Sequence, residues 1–307
     1  MFSLSARRAT QLHIAGVECS ETGNEDGAIE NYQKALGLDP KRGDTLYNLG
    51  LIYKYRGAWR ESFDFNRRAR EFQPSDEATL WNLAIAATAL RDWATAREVW
   101  RALKVITEDG EGPINRNMGQ TPVRVNAEDL EDRPIEVVWS ERLCPVRSRL
   151  VNIPTGATGF RYGDIVLHDG AAVGYRLNSY GKERPVFNVL ELFEPSRFST
   201  YEASIEVGNA ADVEALEHLC GEASIPVEDW TANMEHLCKA CSEGRPHEGH
   251  DQELKEAVSW APKRQVGFAA VDRESLDAIL REWAAKPGRS VAEMRCTLAA
   301  GANHVAV

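Results

Sequence analysis

The sequence predicts an α+β multidomain chain. An N-terminal α-solenoid of three helix pairs is followed by a small β-barrel and then by an α+β domain with a metal-binding loop. Three observations predict this order. Residues recur at a 34-residue step through the first third of the chain. Five short alternating runs crowd into residues 135–195. Two strand–helix–strand halves then flank a polar excursion that carries cysteines and histidines. The length of 307 residues is ample for a buried core, and 43% apolar with 27% charged residues is an ordinary globular composition that excludes wholesale disorder.

The expected divisions are 1–108 for the helical repeats, 109–134 for a linker, 135–197 for the barrel and 198–307 for the last domain, with the Cys/His loop at 236–251. Net charge is −1 over residues 1–110, +3 over 133–185 and −10 over 186–307. The acidic C-terminal portion would repel phosphate backbones, so general nucleic-acid binding is not expected. No uncharged apolar run approaches the roughly 18 residues of a membrane helix, and the first residues lack the apolar stretch of a leader. A cytoplasmic location without membrane contact is the expectation. In such a setting Cys19, Cys144, Cys220 and Cys296 read as small buried thiols rather than as disulfide partners.

The repeat is carried by Gly16 and Gly50, Ala35 and Ala69, and Pro40 and Pro74. Ala28, Ser62 and Ala96 keep the same step, as do Leu12, Leu46 and Leu80. Small residues lie where two helices must approach, and a proline closes each of the first two units. The pattern resembles the tetratricopeptide repeat (TPR), with units at 9–42, 43–76 and 77–110. The middle unit holds Leu49, Gly50, Tyr53, Ala69 and Pro74 at the family's signature places. Ser62 and Asn66 replace the usual alanine and aromatic, and the third unit lacks the closing proline.

The resemblance implies helix hairpins stacked into a curved solenoid whose first helices line a concave groove. Tyr47, Leu51 and Tyr55 then form one stripe, continued by Trp81 and Ile85, with Asn48 and Asn82 placed to bond a peptide backbone. Chaperone-binding relatives grip a terminal carboxylate with basic residues. Here those places hold His13, Val17, Ala78 and Asn82, and only Asn48 matches. An apolar, aromatic groove suits an amphipathic helix or an extended hydrophobic peptide instead. The competing reading is that Tyr47, Tyr55 and Trp81 pack against later parts of the same chain.

The stretch from Thr107 to Pro134 is polar and rich in Gly and Pro, and reads as a connector. The runs IEVVW, SRLVNI, GDIVLH, AVGYRL and PVFNVLELF then read as five strands of an SH3- or OB-type barrel. His168 beside Asp169 resembles an acid–base pair, but neighbouring strand residues point to opposite faces, so a hairpin turn at Asp169-Gly170 is the preferred reading. Arg142, Arg147, Arg149 and Arg161 read as one solvated basic face.

Beyond residue 198 the two β-α-β halves most economically make a ferredoxin-like sandwich. Val213, Leu216, Leu219 and Cys220 form the apolar face of its first helix, and Leu276, Ile279, Leu280 and Trp283 that of the second. The excursion HLCKACSEGRPHEGHDQEL places Cys238 and Cys241 two residues apart and repeats that spacing in His247 and His250. Two thiolates and two imidazoles can close a tetrahedron about zinc, leaving no position for substrate water, so a structural site is expected. A metal-free loop, a redox dithiol and a catalytic zinc assisted by Glu248 or His236 are the alternatives. The functional expectation is a non-catalytic, protein-binding scaffold or adaptor rather than an enzyme. A zinc-dependent hydrolase centred on the Cys/His loop is the alternative, and an RNA- or ribosome-associated factor using the basic barrel is the weaker one.

Overall fold

Among the described residues of the first unit, residues 1–115, six helices form three antiparallel hairpins: α1 (Leu4–Glu21) with α2 (Glu25–Leu38), α3 (Gly43–Tyr55) with α4 (Trp59–Phe72), and α5 (Glu77–Ala89) with α6 (Trp93–Ala102). The computed structural model describes residues 4–105, 109–127, 133–178, 180–233 and 260–301. None of the described helices is long and apolar enough to cross a membrane.

The 34-residue step governs the helix ends as well as the core. Asn24 and Asp92 cap α2 and α6 by accepting from the backbone three residues on, whereas Ala58 holds that place without a side-chain cap. The turns inside the hairpins need one left-handed residue each. Gly23 and Gly57 supply it at φ 76° and 65°, and Arg91 does so at φ 58° with the strain a side chain adds. A methyl group at Gly16 would overlap the Tyr32 ring, and one at Gly50 would overlap the Asn66 amide. Ala28, Tyr32, Leu46, Leu49 and Ala69 bury the seam between the first two hairpins.

The second unit, residues 116–307, begins with strands β1 (Gln120–Val125), β2 (Glu136–Cys144), β3 (Arg147–Leu150), β4 (Ile165–Leu177) and β5 (Glu183–Glu194). Each pairs antiparallel with the next, and β1 returns to pair parallel with β5, so the sheet closes as a barrel. The strand count matches the sequence reading, but the strands differ. β1 lies inside the stretch expected to be a linker, and Pro122 within it stands opposite Trp139. GDIVLH and AVGYRL are one strand, not two. No hairpin turn occurs at Asp169-Gly170, because a bulge absorbs the extra residues: His168 pairs with Val189 and Ala172 with Phe187. The Asp169 carboxylate accepts the Gly170 amide at 2.7 Å within that bulge.

The same unit continues with β6 (Ser199–Glu206), α7 (Ala210–Glu222), β7 (Val227–Asp229), α8 (Trp230–Asn233), β8 (Lys263–Ala270), α9 (Arg273–Ala284) and β9 (Ser290–Leu298). These strands form an antiparallel sheet in the order β7-β8-β6-β9. Leu216 and Cys220 from α7 and Leu276, Leu280 and Trp283 from α9 pack on Tyr201, Ile205 and Phe268. The apolar spacing of both helices anticipated this face. Asp212 joins the layers: its carboxylate binds Arg289 at 2.7 Å, and its carbonyl accepts the Trp283 indole N–H at 2.8 Å. Of the four single thiols, Cys144 and Cys220 are buried, while Cys19 is half-buried and Cys296 is exposed on the edge strand β9, contrary to expectation.

The close approach of α3 to α4 yields a stability test. Gly50→Val destabilises the protein by about 1–3 kcal/mol through overpacking. Gly37→Ala, where a methyl group meets nothing within 4 Å, stabilises it by up to about 1 kcal/mol. Urea denaturation of both variants reads the contrast.

Candidate peptide groove and the other candidate sites

The first helix of each hairpin repeats its places every 34 residues, which aligns His13, Tyr47 and Trp81, then Ile14, Asn48 and Asn82, then Val17, Leu51 and Ile85. On α3 the stripe is open. Tyr55 is 55% exposed, while Tyr47, Asn48 and Leu51 are half-buried. Asn48 Nδ2 donates to the Tyr32 hydroxyl at 3.2 Å, which orients its amide. On α5 the same places are mostly closed: Asn82 and Ile85 are 5% and 1% exposed, and Trp81 is half-buried with its ring edge-on to Trp100 at 4.8 Å. Ile14, 50% exposed on α1, stands one repeat before Asn48 and was missed in the sequence reading, although the repeat step points to it.

A polar cluster between α1 and α3 was also missed. The Arg42 guanidinium binds Asp44 at 2.7 Å and donates to Thr10 Oγ1 at 2.8 Å, while His13 Nδ1 lies 2.9 Å from Thr45 Oγ1. Burial holds the His13 pKa below the ordinary histidine value, against the opposing pull of Asp44. His13 occupies a place where carboxylate-gripping relatives carry a basic clamp residue. Here its ring is tied to its own chain, with Nδ1 beside Thr45 and Nε2 3.6 Å from Asp44.

In the barrel, His168 and Asp169 do not form an acid–base pair. His168 Nδ1 lies 2.8 Å from the backbone carbonyl of Asp169, and the Asp169 carboxylate is turned to the bulge amide. Burial depresses the His168 pKa to about 4, with the nearby Arg142 charge acting in the same direction. The basic face read from the sequence is corrected. Arg147 and Arg161 are fully buried and Arg142 is half-buried, leaving only Arg149 of the four exposed. Arg147 lies over the Phe193 ring, and Arg161 donates to the Ala299 carbonyl at 2.6 Å. That arrangement removes the support for RNA docking on those arginines.

Cys238, Cys241, His247 and His250, with His236 and Glu248, lie outside the described residues. Among the described residues, no group of three or more His, Cys, Asp or Glu side chains is placed to hold a metal ion.

With this geometry in view, comparison with known proteins bears on the first unit. A family model described as TPR repeat matches residues 17–57, spanning the second half of the first hairpin and the start of the next. The N-terminal region is built of tetratricopeptide repeats. Photosystem I assembly protein Ycf3 of Prochlorococcus marinus is 42% identical over 79 residues, which is 25% of this chain and 44% of that protein. Tetratricopeptide repeat protein 6 of Homo sapiens is 33% identical over 69 residues, 22% of this chain and 13% of that one. The chain therefore spans less than half the length of these TPR relatives, and the likeness belongs to the repeats.

Because His168 is folded with a pKa near 4 and unfolded near 6.5, the unfolded chain binds the extra proton between those values. The neutral ring's contribution to stability is complete above pH 6.5 and is lost as the pH falls. Stability attributable to this residue declines by about 2 kcal/mol between neutral pH and about pH 5. A His168→Leu variant lacks that component, which parallel urea titrations at the two pH values measure.

Proposed function

We propose that this protein is a non-catalytic adaptor whose TPR unit binds a peptide or partner helix along the open face of α3. The observation that carries this reading is the stripe of Tyr47, Leu51 and the 55%-exposed Tyr55 beside the Asn48 amide, with exposed Ile14 at the matching place on α1. Aromatic rings give large contact area at low entropic cost, and an amide can register a peptide backbone. Similarity to a photosystem assembly protein and to a second TPR protein supports a protein partner. Trp81 belongs to the edge of this surface, and Asn82 and Ile85 support it from inside.

The double variant Tyr47→Ala/Tyr55→Ala weakens binding of the captured partner at least tenfold, about 1.4 kcal/mol or more, while its melting temperature stays within a few degrees of wild type. Trp81 is left intact because its contact with Trp100 would confound the result. Unchanged affinity in the double variant overturns the groove reading.

The reading extends to the later domains. The five-stranded barrel is read as a small SH3- or OB-like module. The antiparallel order β7-β8-β6-β9 with helices after β6 and β8 is read as a ferredoxin-like sandwich. Cys238, Cys241, His247 and His250 are assigned as ligands of a structural zinc that holds a loop too poor in apolar residues to pack itself. Elemental analysis is expected to find one zinc per chain in the purified protein and a loss of it in Cys238→Ser. Metal-free wild type overturns the assignment.

A further inference from the structure

The interior of the β1–β5 barrel is divided into an apolar end and a polar one. Val138, Leu150, Val166 and Val189 belong to the apolar core. Strand alternation carries the same inward face towards the other end. Ser148 is two residues from Leu150, Arg142 stands opposite Ser148, and His168 lies two residues beyond Val166, across from Val189. The Phe187 ring touches two of these, stacked on the His168 ring at 5.2 Å and lying 5.7 Å from the Arg142 guanidinium.

Three polar atoms here have no hydrogen-bond partner: Ser148 Oγ, His168 Nε2 and Arg142 Nε. Ser148 and His168 are fully buried. Nearby inward hydroxyls are satisfied, since Thr121 donates to the Pro185 carbonyl and Ser140 to the Thr121 carbonyl, each at 2.8 Å. The His168 proton can be placed. A carbonyl oxygen only accepts, so the neutral ring carries its proton on Nδ1 towards Asp169, and Nε2 presents a bare lone pair. Arg142 donates to the Pro145 carbonyl at 2.7 Å, and among the described residues no carboxylate pairs with it.

We propose that this end of the barrel is a binding site for a small oxyanion that keeps one O–H group, such as hydrogen phosphate or bicarbonate. Its negative charge faces the Arg142 guanidinium, one oxygen accepts from the Ser148 hydroxyl, and its own O–H donates to His168 Nε2. A lone water satisfies the hydroxyl and the imidazole but leaves a partly desolvated guanidinium without counter-charge, which is the costly feature of the site. An oxyanion without a proton meets Arg142 but sets a lone pair against the Nε2 lone pair. The ligand class follows from requiring both at once.

The test uses thermal unfolding of the full-length protein at pH 7 in phosphate, bicarbonate and sulfate at equal ionic strength. Phosphate or bicarbonate at about a hundred times its dissociation constant raises the midpoint by about 5 °C or more above the sulfate value. The larger of the two shifts names the ion, and Ser148→Ala and Arg142→Gln each abolish the difference. If Arg142→Gln fails to fold, Ser148→Ala and calorimetric titration of the wild type with phosphate and bicarbonate decide the matter. A wild-type midpoint no higher in either ion than in sulfate overturns the proposal. So does an equal gain in wild type and Ser148→Ala, which would leave only a buried water at this end of the barrel.

Discussion

The first unit depends on how closely the two helices of a hairpin can approach. Gly16 and Gly50 each lie sixteen positions before the residue they must accommodate on the second helix, Tyr32 and Asn66, and Ala84 keeps the same spacing to Trp100. The rings of Tyr32 and Trp100 and the amide of Asn66 are buried there almost completely. Side-chain volume at this contact sets the separation of the helices, and the 34-residue step copies it to the next hairpin. The middle hairpin solves the same problem with polar groups. Ser62 Oγ donates to the Gly50 carbonyl, and Asn66 Nδ2 donates to the Ser62 carbonyl, each at 2.8 Å. A buried amide oxygen of Asn66 without a partner is the cost of that substitution. With the hairpins fixed, helical period sets which residues of α1, α3 and α5 share a face.

A different constraint organises the second unit. The loop from Asn152 to Gly156 is held by three carboxylates from different strands. Glu228 accepts from the Ile153 amide and the Asn152 side chain, Glu136 from Thr155, and Glu202 from the Gly156 amide. The Trp230 indole donates to the Ile153 carbonyl at 3.0 Å, and Gly267 leaves room for its ring. Burial raises the pKa of both Glu136 and Glu228 from the ordinary glutamate value, and the hydrogen bonds they accept pull the other way. These contacts join the barrel to the four-stranded sheet through one short segment. Its two faces are therefore fixed by charge-assisted bonds and by an aromatic ring together.

Features repeated along the chain were legible in the sequence, and features decided by distant pairing were not. The helix pairs could be read because Gly16 and Gly50, Ala35 and Ala69, and Pro40 and Pro74 keep one period. The apolar faces of α7 and α9 were legible from their helical spacing. β1 was not: its six residues include a proline and sit in a polar stretch, and partners remote in sequence on β5 make them part of a closed sheet. Asp169-Gly170 has the local chemistry of a hairpin, but the pairing of β4 with β5 converts it to a bulge. Charge was the least informative signal. Arg147 and Arg161 look like surface residues in composition, yet they are buried against a ring and a carbonyl. The groove was half legible: period placed Asn82 and Ile85 on the stripe, whereas the all-round apolar run of α5, from Leu80 to Ala87, is the pattern of a helix buried on most of its faces.

The openness of α3 beside the closure of α5 bears on what kind of binding the TPR unit can perform. A stable protein interface buries roughly 800 Å² on each partner, whereas one well-covered aromatic side chain contributes about 150–250 Å². Tyr47 and Leu51 are already partly covered by their own unit, so Tyr55 and Ile14 offer most of the new area. That supply falls short of a standard interface, and His13 is engaged by Thr45 and Asp44 of its own unit. A partner that engaged this face alone would therefore be held weakly, as suits a transient contact better than a permanent one. Tight association would need a second contact made at the same time, because linkage of two weak contacts raises affinity without improving either one.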